Sequence, residues 1–259
     1  MDNSPAGDVP FARVPTTTST VIRRRDTAHI DASLRPQDED YRRFIHLVEL
    51  YRGCNWDPKR MFDNAPFRVS DIGLNSMLLR AEHDRPMAQR FGSSAERDEI
   101  SRRIETKRLG SQSLWAPKLG QLFSRNDITG DLLAVPTAAC FFPPFGKAAT
   151  TEQLDVMQAT LERLGRSVKW LIPSLDPTHS AYEPRRYWRA PVWAVVNWMI
   201  GDGFRAAGRQ IFEHTLALIL TPGMDEYYEP DTGEGMVGTD YSWTAAVYLM
   251  LTSDPSPTR

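Results

Sequence analysis

Residues 222–243 read PGMDEYYEPDTGEGMVGTDYSW. The stretch gathers Asp225, Glu226, Glu229, Asp231, Glu234 and Asp240 among three tyrosines and a tryptophan. Its four glycines and two prolines oppose a regular helix or strand across it. It therefore reads as a long, ordered loop. Apolar helical segments flank it, at 211–220 and 244–251, and this alternation of helix, long loop and helix recurs along the chain. Acids beside aromatic rings on a loop suit a sugar-cleaving site: rings stack on sugar faces, and carboxylates move protons and bind hydroxyls. The alternatives are a solvated acidic turn or a calcium loop. The spacing does not follow the EF-hand pattern of alternating ligands with a Glu at the twelfth position.

Working outward, Pro191 is expected at a helix start, followed by a buried stripe of Val192, Val195, Val196, Met199, Ile200 and Phe204. Residues 173–187 read as loop. Thr150 and Gln153 form a capping box that opens a helix with Leu154, Met157, Leu161 and Leu164 on one face and Gly165 as its stop. Residues 114–133, with Gly120, Asn126-Asp127 and Gly130, read as a hairpin-like excursion. The charged run 94–109 is a helix with a narrow seam at Ile100 and Ile104. A further helix begins near Ser70-Asp71 with Ile72, Leu74, Leu78, Leu79 and Ala81 as its apolar positions, and Pro86 kinks or ends it. An earlier one carries Tyr41, Phe44, Ile45, Val48 and Tyr51 after the acidic turn Asp38-Glu39-Asp40, with Gly53 closing it. Residues 1–36 read as extended or loop structure. The sum is an all-α chain of seven or eight helices, stacked as helical hairpins, with few strands.

Composition narrows the function. The 259 residues carry a net charge of −2 with a pI near 6.2, which gives no footprint for nucleic acid or a membrane surface. The triplet Arg23-Arg24-Arg25 is followed at once by Asp26 and reads as a solvated or ion-paired patch. Cys54 and Cys140 are far apart and lack metal-ligand spacing, and the five histidines form no paired motif. No metal or other cofactor is expected. No apolar run approaches the roughly 20 residues that span a bilayer, and no signal-peptide core opens the chain, so a cytoplasmic protein is the default expectation.

The segment Tyr187-Trp188-Arg189-Ala190-Pro191-Val192-Trp193 places two tryptophans and an arginine at a helix mouth, where rings suit a sugar. Packing at a helix start is the alternative.

YWRAPVWAVVNW resembles the YWRGPxWxxxN segment of glycoside hydrolase family 63 and its trehalase-like relatives, with Ala190 where they usually carry Gly. EYYEPDTGEG followed by YSWTAA is similar to their E-Y-x-x-P-x-T-G-E-G and F-S-W-T-A-A. Phe67 to Ala81 resembles their F-x-V-x-D-x-x-x-N-x-x-L-x-R-A helix, and Met1-Asp2-Asn3-Ser4-Pro5 their G-[ML]-D-N-S-P motif cut at its methionine. The likeness is greatest to the bacterial mannosylglycerate and glucosylglycerate hydrolases. It implies an (α/α)6-type toroid of helical hairpins over residues 1–252, a disordered tail at 253–259, and an inverting α-glycoside hydrolase of small glucosyl or mannosyl conjugates. It implies Asp2 as general acid and Glu226 as general base. Sugar-contacting positions fall on Arg35, Tyr41, Tyr187, Trp188 and Trp193. Alternatives are a trehalase-like or oligosaccharide α-glucosidase, and a remnant that binds a sugar or a partner helix without catalysis.

The family carries further helices before D-N-S-P, whereas this sequence begins at the acid. The expectation is an incomplete toroid whose 259 residues, expressed alone, are poorly soluble or self-associating and inactive. An in-frame reading of roughly 150–200 codons upstream of Met1 is expected with it. Oligomeric state is not legible.

Overall fold

The computed structural model of the chain describes residues 3–17, 23–28, 30–84 and 93–253, with the backbone alone at 205–206. Among them run nine α-helices: α1 (Asp8–Phe11), α2 (Asp38–Gly53), α3 (Pro58–Asn64), α4 (Ile72–His83), α5 (Ser94–Gln112), α6 (Thr151–Gly165), α7 (Ala194–Gly203), α8 (Arg205–Leu220) and α9 (Ser242–Ser253). Several of the helices start where the sequence supplies a side-chain acceptor for orphaned N–H groups. Asp71 accepts from the Leu74 amide at 2.7 Å to open α4. Reciprocal capping boxes, Ser93 with Glu96 and Thr150 with Gln153, open α5 and α6.

Seven strands of two or three residues stitch the loops. β1 (Val69–Ser70), β4 (Ser124–Asn126) and β5 (Leu132–Leu133) form one antiparallel sheet, and β2 (Trp115–Ala116) pairs with β3 (Gln121–Leu122). The expected excursion at 114–133 is thus two hairpins in succession. The third pair, β6 (Tyr227–Tyr228) with β7 (Gly235–Met236), lies inside the loop read as free of strands. Glycine makes that pairing possible: a Cβ on Gly235 would stand 2.0 Å from an Asp225 carboxylate oxygen.

The core joins α6 (Met157, Leu161, Leu164), α7 (Val196, Ile200), Phe204, Ile211 of α8, Ile72 of α4 and the aromatic turn Phe141-Phe142. The α7–α8 hairpin closes tightly, because a Cβ on Gly208 would stand 2.1 Å from the Gly201 carbonyl oxygen. One buried polar residue locks it. Asn197 donates to the Leu171 carbonyl and to Thr215 Oγ1 and accepts from the Ile172 amide, at 2.8, 2.9 and 3.0 Å.

Several sequence expectations need correction. Pro191 is not at N1 of a helix; α7 begins at Ala194, and in the segment before it Val192 bridges to Tyr228 and Pro173. Within α4, Ile72 and Leu79 are buried, but Leu74 and Leu78 are 65% and 45% exposed. The helix is apolar on two faces. The buried one is completed by Ser76, whose hydroxyl bonds the Ile72 carbonyl, and by Glu82, whose carboxylate pairs with Arg103 and Lys107 of α5. The apolar positions read from the sequence, Ile72, Leu74, Leu78, Leu79 and Ala81, therefore span both faces, and periodicity did not separate them. Helices α1 and α3 lie where the sequence showed no apolar period, α3 resting on its Asp57 cap and Pro58 start. α9 extends through Ser253, one residue into the expected tail; residues 254–259, like Pro86, lie outside the described residues.

Candidate active site

Glu226 sits at the foot of the β6–β7 hairpin, where its amide donates to the Val237 carbonyl at 3.3 Å. β6 also pairs with the extended segment before α7: Val192 and Tyr228 exchange both amide hydrogen bonds, at 2.8 and 2.9 Å. That register sets Trp193 opposite Tyr227, on the same face, with ring centroids 4.9 Å apart. The hairpin therefore carries Glu226 to the edge of the aromatic segment that the sequence singled out.

The three glutamates of the loop have separate environments. Glu226 is buried and receives both terminal nitrogens of the buried Arg35, Nη2 to Oε2 at 2.8 Å and Nη1 to Oε1 at 3.4 Å. A guanidinium fork of this kind fits an ionised carboxylate. Glu229, also buried, spends one oxygen on the loop itself, accepting from the Asp231 and Thr232 amides and the Thr232 hydroxyl. Glu234 is exposed and pairs with Arg185 at 2.6 Å. Burial, and then the charge of Asp240, push the buried Asp225 carboxyl above its usual range.

Arg35 lies over the Tyr187 ring, 4.5 Å from its centroid. Burial works against its charge, but the hydrogen bond and charge of Glu226 outweigh this and raise the guanidinium above its ordinary range. Tyr187 meets Trp188, Trp193 and Tyr227 edge-on, at 5.8, 5.3 and 6.0 Å. Trp188 and Trp193 are stacked face to face, 4.0 Å apart and 7° from parallel. Trp193 is the inner ring, 2% exposed; Trp188 is half-buried and covers it. Burial holds the Tyr227 phenol above its usual range, against the nearby Arg35 charge, so Tyr227 keeps its proton.

The start of the chain docks on the same segment. Asn3 Oδ1 accepts from the Trp188 amide at 3.0 Å, and Asp8 takes Arg189 Nη2 at 2.9 and 3.0 Å. Asn3 and Ser4 are buried and line a cavity of about 550 Å³ with Phe11, Phe44, Asp71 and Arg189.

The structure thus brings Glu226, Arg35, Tyr187, Trp188 and Trp193 into one cluster. Asp2 lies outside the described residues, although its neighbour Asn3 is at the cluster's edge. Tyr41 joins a different group: its hydroxyl donates to Asp26 at 2.9 Å, and Arg24 covers its ring at 4.4 Å. Arg24, read as part of a solvated or ion-paired patch, is ion-paired to Asp26 and Asp38. Sequence reasoning missed Tyr227; its signal was its place between Glu226 and a strand partner that the glycines concealed. Among the described residues no group of three or more His, Cys, Asp or Glu side chains is disposed to hold a metal ion, and no helix is long and apolar enough to cross a membrane.

The family model for the mannosylglycerate hydrolase MGH1-like glycoside hydrolase domain matches residues 1–244. The chain belongs to this family. It is 38% identical over 257 residues to the mannosylglycerate hydrolase of Thermus thermophilus, a match that covers 97% of this chain and 62% of that protein. It is 28% identical over 269 residues to the glucosylglycerate hydrolase of Mycolicibacterium hassiacum, covering 96% of this chain and 59% of the relative. Among solved structures, the family-63 mannosylglycerate hydrolase of Thermus thermophilus in complex with Tris and D-glycerate superposes with a TM-score of 0.92 at 38% identity, over 97% of this chain and 63% of that one. Neutral trehalase of Saccharomyces cerevisiae, at 18% identity and a TM-score of 0.53 over 73% of this chain and 39% of its own, shares the fold alone. The helical hairpins are therefore those of the α/α toroid class. The chain spans about 62% of the length of the first of these relatives.

Proposed function

We propose that this chain carries the catalytic pair of an inverting α-glycosidase acting on a small glucosyl or mannosyl conjugate of the glycerate type. Glu226 is the general base. It takes a proton from a water whose oxygen attacks the anomeric carbon. Asp2 is the general acid. It gives its proton to the glycosidic oxygen as the carbon–oxygen bond breaks, and the sugar leaves as the β-anomer. The observation that carries this reading is the convergence on one aromatic segment. The buried Glu226, with its Arg35 partner, approaches from the β6 hairpin, and Asn3, the residue after Asp2, docks on Trp188 from the chain start. Tyr187 and Trp188 supply the rings for the sugar, with Trp193 backing Trp188 from the core, and Arg35 supplies a polar contact beside Glu226; Tyr41, held in its own group with Asp26 and Arg24, takes no part in this reading.

Similarity to hydrolases of mannosylglycerate and glucosylglycerate supports the substrate class. The protein, expressed from its full reading frame, is tested on mannosylglycerate, glucosylglycerate, trehalose and maltose. Turnover of a glycerate conjugate, lost in both Asp2→Ala and Glu226→Ala, is the expected result. Preference for trehalose moves the reading to the trehalase-like alternative, and activity surviving both substitutions removes the catalytic assignment.

A further inference from the structure

We infer that Asn3 is a positioning residue that fixes the chain start, and Asp2 with it, in register with the aromatic platform; this rests on the assignment of Asp2 as the acid.

The turn Tyr187–Arg189 is a poor structure by itself. Tyr187 has a φ of +31°, in the left-handed region that disfavours a bulky aromatic side chain. The turn is held from outside by ring packing on Trp193 and Tyr227 and by Arg35 over Tyr187, and two side-chain hydrogen-bond contacts reach it from the chain start. Asn3 Oδ1 accepts the Trp188 amide across 185 residues of sequence, and Asp8 binds the Arg189 guanidinium across 181. The Asn3 side of the first contact is buried, at 6% exposed, whereas the Asp8 carboxylate is half in solvent. An amide that must face an N–H donor presents its oxygen, which turns Nδ2 away from Trp188; that nitrogen is buried with no partner in the protein. Asn3 therefore makes one committed bond, and it makes it to the residue whose ring covers Trp193.

The chemical consequence follows from the adjacency of residues 2 and 3. A general acid must lie within about 2.6–3.2 Å of the oxygen it protonates. A displacement of about 1 Å at such a centre can lower the rate about 10²-fold. A single hydrogen bond that ties the acid's neighbour to the sugar platform fixes both ends of that geometry together.

The test uses leaving groups. An alkoxide leaving from glycerate needs the acid's proton, whereas fluoride leaving from the matching α-glycosyl fluoride needs little help. Asn3→Ala removes the acceptor, and Asn3→Asp keeps an oxygen in its place. In Asn3→Ala, kcat on the glycerate conjugate is expected to fall about 10²-fold with KM changed less than about threefold. The loss on the fluoride should stay within about tenfold, and Asn3→Asp should recover most of the first loss. Amide exchange across 187–189 should quicken in Asn3→Ala and return toward native in Asn3→Asp. Equal losses on both substrates, or no loss on either, overturn the inference while leaving the glycosidase reading intact. A native protein that cleaves neither substrate overturns both.

Discussion

Arg35 and Glu226, 191 residues apart in sequence, meet as a buried pair at 2.8 Å, with side chains only 11% and 10% exposed. Neither charge is comfortable alone at that depth. Removing one partner of a buried pair leaves the other uncompensated and typically lowers stability by about 3–5 kcal/mol. Arg35→Met should therefore show a large drop in denaturation midpoint, and Arg35→Met/Glu226→Gln should recover much of it. A double variant less stable than Arg35→Met would contradict the pairing.

The loop's glutamates should separate by phenotype. Glu226→Gln keeps shape but removes both the base and the charge facing Arg35, so kcat of the folded variant should fall by about 10²–10⁴, alongside a loss of stability like that of Arg35→Met. Glu229→Gln weakens the acceptor for the Asp231 and Thr232 amides, so its effect should appear chiefly as a lower melting temperature. A Glu229→Gln enzyme as impaired in kcat as Glu226→Gln would reassign the base.

The stacked tryptophans should also divide. Trp193 is a core side chain, and Trp193→Ala is expected to lower stability by about 3–5 kcal/mol. Trp188 has one face on Trp193 and is half-buried, so Trp188→Ala should raise KM more than it lowers the melting temperature. Equal destabilisation by the two substitutions would mark both as packing residues.

The buried Asp225 predicts a pH effect. Burial, then Asp240, raise its folded-state value, so the folded protein favours the protonated form. The stability contributed by that proton is complete below the ordinary carboxylate value of about 4 and is lost as pH rises through the raised one. Asp225→Asn should therefore stabilise the protein at pH 7, with the gain disappearing near pH 3. A variant less stable than native at pH 7 would show that the ionised carboxylate is stabilised in the fold.

How much of this was legible follows from the kind of signal each residue leaves. Thr150-x-x-Gln153 and the Met157, Leu161, Leu164 stripe gave α6 within a residue, because caps and periodicity act over one turn. Asp71 at the start of α4 was equally local. The buried face of α4 was not, because it depends on Arg103 and Lys107 from α5 meeting Glu82. Pro191 looked like a helix start, yet the next residue, Val192, is held in bridges to Tyr228 and Pro173, which are distant in sequence. Trp188, Trp193 and Glu226 were visible as unusual residues in unusual places. Their convergence with Arg35 and Asn3 was not, since no local pattern encodes contacts across 185 or 191 residues.

The central claim is that two carboxylates on opposite sides of the bond invert the sugar, and proton NMR of the first turnovers tests it most directly. The protein from its full reading frame is added to an α-linked mannosyl- or glucosylglycerate, and the anomeric signals are followed before mutarotation. The account predicts that the β-anomer of the free hexose appears first, with the α-anomer growing in later. First appearance of the α-anomer would mean retention through a covalent intermediate, and would contradict the roles given to Asp2 and Glu226.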